Sequence, residues 1–201
     1  MGLNKATGRK TFINIKEGKL IVKRSKDAIP EEYASITGIL TGIDIVEKEY
    51  QGNKYEQLNL RITSDGELYE LQMRFDSGYG RGFCYTILNA NPGKDITFSP
   101  KYSEVDGKKD SWLFLNQFGN PLKRAFTKDN PNGLPPMEKA TFKGKDLWDN
   151  SKQLAFWKKM IDTQIKPNLL HPAVAENDTD KSNDEIPDAD KITEPIDDLP
   201  F

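Results

Sequence analysis

The side chains most used in covalent and acid–base catalysis are scarce in this chain. Cys84 is the only cysteine and His171 the only histidine. A nucleophile needs an adjacent base, so the usual nucleophile–base pairs are missing. One cysteine also forms no intramolecular disulfide and no Cys-based zinc site. The run Asp129-Asn130-Pro131-Asn132-Gly133 shares composition with a calcium loop, but Pro131 stands at a ligand position and the spacing is wrong. The segment Gly78-Tyr79-Gly80-Arg81-Gly82 spaces its glycines as G-x-G-x-G. It is neither a dinucleotide fingerprint nor a P-loop, since no Gly-Lys-Ser/Thr follows. The chain is expected to be a non-enzyme with no cofactor and no metal.

Aromatic and basic residues offer a different chemistry. Every nucleobase has a π-face and every nucleotide a phosphate, so stacking rings beside cations suit a single strand. Tyr55, Gln57, Asn59 and Arg61 alternate with Glu56, Leu58, Leu60 and Ile62. Gln72 and Arg74 occupy the matching set of the next segment. Trp112, Phe114 and Phe118 share one parity, and Leu113 and Leu115 the other. If the leucines are core, Trp112 and Phe114 face a ligand. Alternation does not say which face is inside. Tyr79 and Arg81 are further candidates for stacking and phosphate pairing, as are Lys123 and Arg124. Trp157 has helical neighbours and is expected in the core.

Charge divides along the chain. The net charge is −2, yet residues 1–170 hold 27 Lys/Arg against 21 Asp/Glu, a net of +6. Residues 171–201 hold 2 Lys against 10 Asp/Glu, a net of −8. A basic body with an acidic tail is typical of nucleic-acid binders. The first 26 residues carry 8 Lys/Arg and one acid, Glu17. Within them, Lys16, Lys19, Lys23 and Arg24 lie on a predicted hairpin around Glu17-Gly18.

The elements that position these residues are mostly strands. Ile36–Val46 is β-branched and interrupted by Gly38 and Gly42, which mark bulges or bends. Lys54–Thr63 and Glu67–Phe75 follow, separated by the turn Ser64-Asp65-Gly66. Then come a flexible glycine loop, 78–82, a helical Phe83–Asn89, and two strands, Asp95–Tyr102 and Asp110–Phe118, joined by Ser103–Lys109. Three strands, a helix and two strands is the element order of the OB-fold, a five-stranded, partly open barrel that commonly binds oligonucleotides. Residues 119–149 are predicted to be a long surface loop, and Asn150–Ile165 an amphipathic helix stopped at Pro167. The expected fold is therefore mainly β: an OB-fold five-stranded barrel with an N-terminal hairpin, a C-terminal helix and a disordered acidic tail. Residues 1–26 are assigned to the basic arm and hairpin, 27–170 to the barrel with its loop and helix, and 171–201 to the tail. No apolar leader and no run of about 18 apolar residues occurs, so a soluble, cytoplasmic protein with no membrane contact is expected.

The tail ends Glu194-Pro195-Ile196-Asp197-Asp198-Leu199-Pro200-Phe201. This ending resembles the C-terminal tip of bacterial and phage-type single-stranded DNA-binding proteins, in which acidic residues precede an aliphatic residue and a terminal Pro-Phe. The resemblance implies that Asp197 and Asp198 match the acidic pair, Leu199 the apolar position, and Pro200-Phe201 the end. It further implies a protein that coats single-stranded DNA in a bacterial or phage-infected cell and recruits replication, recombination or repair enzymes through the tip. The ring and terminal carboxylate of one residue suit a pocket with a basic rim. A recombination mediator or DNA-processing enzyme with an accessory barrel is one alternative, and a protein-interaction module without DNA binding is another. Whether copies of the chain associate is open.

Overall fold

The computed structural model describes residues 10–25, 27–91, 93–142 and 145–169. The tail with its tip, 197–201, His171 and the start of the N-terminal arm, 1–9, lie outside the described residues.

Five two-residue turns organise the sheet. Strands β1 (Thr11–Lys16) and β2 (Lys19–Val22) meet at Glu17-Gly18. Strands β4 (Ile36–Tyr50), β5 (Asn53–Ser64) and β6 (Glu67–Arg74) form a meander through Gln51-Gly52 and Asp65-Gly66. Strands β7 (Ile96–Val105), β8 (Lys108–Gln117) and β9 (Asn120–Pro121) form another through Asp106-Gly107 and Phe118-Gly119. Both residues of every pair have positive φ. That conformation matches the right-handed twist of the flanking strands, and glycine adopts it without strain. The short strand β3 (Glu31–Tyr33), which the sequence pattern did not reveal, pairs with β2.

These strands make one nine-stranded sheet in the order β3-β2-β1-β6-β5-β4-β7-β8-β9. The fold is mainly β, and the strands form an open nine-stranded sheet rather than the expected five-stranded barrel. The N-terminal hairpin takes the place beside β6, with β1 parallel to it. Helix α1 (Gly78–Thr86) lies against β8. Strand β4 pairs with β5 along its length and with β7 through Ile36–Gly38. Its register shifts between Leu40 and Gly42, the irregularity expected from its glycines.

Burial fixes the register. Leu58, Leu60, Ile62 and Leu71 are fully buried, with Met73 and Phe75 beside them. Each such side chain contributes about 1.5–3 kcal/mol. A one-residue slip of β5 would expose three of them and bury Gln57 and Arg61 instead. Leu113 and Leu115 are also core, which turns Trp112 and Phe114 outward. Trp157 is fully buried on helix α2 (Ser151–Met160), which continues through a π-turn, Ile161–Ile165.

Two loop expectations are corrected. Residues 119–149 contain β9 and a separate hairpin of β10 (Glu138–Phe142) and β11 (Lys145–Asp149). These are strands of only two to five residues in a Pro- and Gly-rich stretch, so composition hid them. The glycine run 78–82 is not a flexible loop but the first half of α1, capped by the Ser77 hydroxyl, which accepts from Gly80 N at 3.2 Å. The glycines are there for proximity. A Cβ on Gly82 would stand 2.7 Å from Leu113 N and 2.8 Å from Leu113 O. Gly78 abuts the Ser111 carbonyl in the same way, and Gly80 abuts Phe75.

Gly→Ala inside a helix ordinarily favours the fold by up to about 1 kcal/mol. Gly82→Ala is predicted to do the opposite here and destabilise by about 1–3 kcal/mol, the usual range for overpacking. The urea midpoint of unfolding checks it.

Candidate nucleic-acid interface

Two outward faces of the sheet carry the predicted contact residues, and they differ in how far their charges are already partnered. The first face spans β5 and β6. Arg61 Nη2 pairs with Asp44 at 3.0 Å. Arg74 makes a two-point contact with Asp76, at 2.8 and 3.1 Å, and this raises the pKa of its guanidinium. The same guanidinium sits 5.7 Å from the Tyr55 ring, which is half-buried. Gln57 donates to Asn59 Oδ1 at 2.7 Å, and Gln72 to Glu70 Oε1 at 2.9 Å. Asn59 and Glu70 are buried, and Lys10 pairs with Glu70. Most polar groups on this face are committed to one another.

The second face belongs to β7 and β8. Trp112 and Phe114 stand on successive outward positions of β8, opposite Lys101 and Ser99 of β7. Rings two residues apart on a strand are about 7 Å from each other. The Arg124 guanidinium lies 4.4 Å from the Trp112 ring centroid and 5.9 Å from Tyr85. Tyr85, on α1, meets Trp112 at 5.7 Å between centroids. Backbone contacts hold this cluster in place. Ala125 N donates to Tyr85 O at 2.7 Å, and Asn89 Nδ2 donates to Lys123 O at 2.9 Å. Arg124 is thereby kept beside Trp112, with Lys123 preceding it in the chain. Phe114 is 44% exposed, and Phe118, just past the end of β8, is 71% exposed. Among the described residues, Lys101, Lys123 and Arg124 have no acidic partner.

The remaining predicted residues are scattered. On the hairpin, Lys19 pairs with Glu32, and Arg24 with Glu31 at 3.0 Å. Lys16 and Lys23 are exposed. The Tyr79 hydroxyl accepts from Gly18 N at 3.0 Å, so this ring anchors the β1–β2 turn. Burial raises its pKa. Arg81 is partly buried, its Nε has no partner, and desolvation lowers its pKa. A guanidinium remains charged at neutral pH regardless. Lys101 and Tyr85 were missed from sequence alone. Strand register exposes the first, and the contact between α1 and β8 brings in the second.

Among the described residues, no three His, Cys, Asp or Glu side chains are grouped to hold a metal ion. No described helix is long and apolar enough to cross a membrane. A groove of about 610 Å³ lined by Leu40, Ile87, Ile96, Ile165 and Leu169 contains none of the predicted contact residues. Comparison with known proteins finds no family model, no curated protein and no solved structure that matches the chain.

Cys84 is fully buried on α1, and desolvation pushes its thiol pKa well above the ordinary value. The thiolate is the reactive form. Native protein at pH 8 is predicted to react with Ellman's reagent far more slowly than urea-unfolded protein. Equal rates would mean that α1 opens readily.

Proposed function

We propose that this chain is a non-enzymatic single-stranded DNA-binding protein whose main platform is the outward face of β8. The observation that carries the reading is the pair Trp112 and Phe114 on the outward side of β8, with Lys101 and Arg124 beside Trp112 and Phe118 exposed just past the strand's end. Rings about 7 Å apart suit bases drawn apart in an extended strand. They do not suit the 3.4 Å rise of a stacked duplex. Cations without acidic partners can neutralise phosphates without first breaking an ion pair. Hydrogen-bonding edges are few along the row, so little sequence preference is expected. The β5–β6 face, with Tyr55, Arg61 and Arg74, would be secondary, because binding there must displace Asp44 or Asp76. The succession of β4, β5, β6, α1, β7 and β8 follows OB-fold order, and β4 pairs with both neighbours as a first OB strand would. We assign the body to an open variant of that fold.

The acidic tail completes the proposal. It would act as a tether that presents Asp197, Asp198, Leu199, Pro200 and Phe201 to replication, recombination or repair enzymes. Carrying charge of the same sign as DNA, it would also compete for the basic platform from a high effective concentration.

Binding to oligo-dT is predicted to be much tighter than to duplex of equal length and to weaken steeply with salt. Phe114→Ala should cost about 1–3 kcal/mol of affinity, the range for a lost stacking ring. Equal affinity for duplex, or insensitivity to salt, contradicts the reading. Titrations are the check.

Deletion of residues 171–201 should raise DNA affinity, most at low salt, and abolish recruitment of partner enzymes. Phe201→Ala should leave DNA affinity near wild type while partner binding collapses, because all ten tail carboxylates remain. Unchanged partner binding in Phe201→Ala would reduce the tail to a solubilising segment.

A further inference from the structure

Phe118 is at odds with its own turn. Within the nine-stranded sheet, the other four two-residue hairpin turns place Glu17, Gln51, Asp65 and Asp106 ahead of their glycines, all of them polar. The fifth places a phenylalanine there, at φ 54°. A bulky side chain is a rare occupant of the left-handed region, where Asn and Asp are enriched. No packing explains the choice, since 71% of the residue is exposed. The fold would be served at least as well by Asn.

The turn is nevertheless firmly held. Gln117, 5% exposed, accepts from Asn91 N at 2.8 Å and donates to Asn91 O at 3.1 Å and Asp95 O at 3.4 Å. Asn120 Nδ2 donates to Phe118 O at 3.1 Å, and Leu122 N to Leu115 O at 2.8 Å. An exposed ring is thus mounted on an anchored turn, so little ordering entropy remains to be lost when it meets a ligand. It stands in the turn just past the end of β8, the strand that carries Trp112 and Phe114 on its outward side.

We propose that Phe118 is a base-stacking residue that terminates the platform, taking an unpaired nucleobase of the bound strand. The inference rests on the single-strand reading of β8 and deepens it. It assigns the ring to nucleic acid rather than to a protein partner, because the strand leading into the turn carries Trp112 and Phe114, with Lys101 and Arg124 beside Trp112.

The test uses the full chain and a fluorescein-labelled oligo-dT read by anisotropy. Phe118→Asn should keep or raise the urea midpoint, since the turn gains a better-suited residue, and should lower affinity about 5- to 100-fold, as loss of one stacked base does. Phe118→Trp should bind within about twofold of wild type because it keeps a stacking ring. The inference is overturned if Phe118→Asn binds like wild type while Phe114→Ala binds weakly; the platform would then stand without its terminal ring. If wild-type protein fails to bind the oligonucleotide at all, both readings fall together.

Discussion

The fold hinges on a backbone-to-backbone contact between α1 and the free edge of β8. Gly78 and Gly82 bring the helix so close to Ser111 and Leu113 that no side chain fits between them. Three things follow. On the side away from β7, α1 rather than any described strand covers β8 over Ser111–Leu113. Covering an edge removes a site for unwanted strand addition. Phe83 and Cys84 enter the core, where Leu113 and Leu115 complete the packing. Tyr85 arrives under Trp112, and through its carbonyl it holds Ala125, so that Arg124 reaches the same ring. The proposed platform is a surface consequence of packing one layer below.

The parts of this fold set by local rules were legible in the sequence. Alternation in Lys54–Thr63 separated Leu58, Leu60 and Ile62, all buried, from Tyr55, Gln57 and Arg61, the proposed contact set. Gly38 and Gly42 announced the irregularity of β4, and Trp157 was recognisable as core. The glycine run before Phe83 was misleading because one residue type serves opposite ends. Glycine loosens an isolated chain, yet it permits the tightest packing when a helix must touch a strand. Nothing local distinguishes the two. The parallel pairing of β1 with β6 was equally hidden, since it depends on which neighbour β6 lacks.

The site was legible by residue type but not by availability. Arg61, Arg74, Lys19 and Arg24 looked as free as Lys101 and Lys123. The difference lies in cross-strand and turn geometry, which supplies Asp44, Asp76, Glu32 and Glu31 as partners. Such exposed pairs stabilise little, typically under 1 kcal/mol. They still set where a polyanion gains most, because an unpaired lysine offers its charge without exchange. On the proposed reading, the β5–β6 face, whose arginines are paired, would be the quieter side and the β7–β8 face, where Lys101 has no acidic partner among the described residues, the receptive one.

The central claim is that a single strand lies along the outward face of β8. Photo-crosslinking tests it most directly: a bromodeoxyuridine-substituted oligonucleotide is irradiated with the full chain and the adducts are mapped by mass spectrometry. The account predicts adducts concentrated at Trp112 and Phe114, suppressed by unlabelled single strand but not by duplex. Adducts concentrated at Tyr55 on the β5–β6 face, or none that single strand competes away, would contradict it.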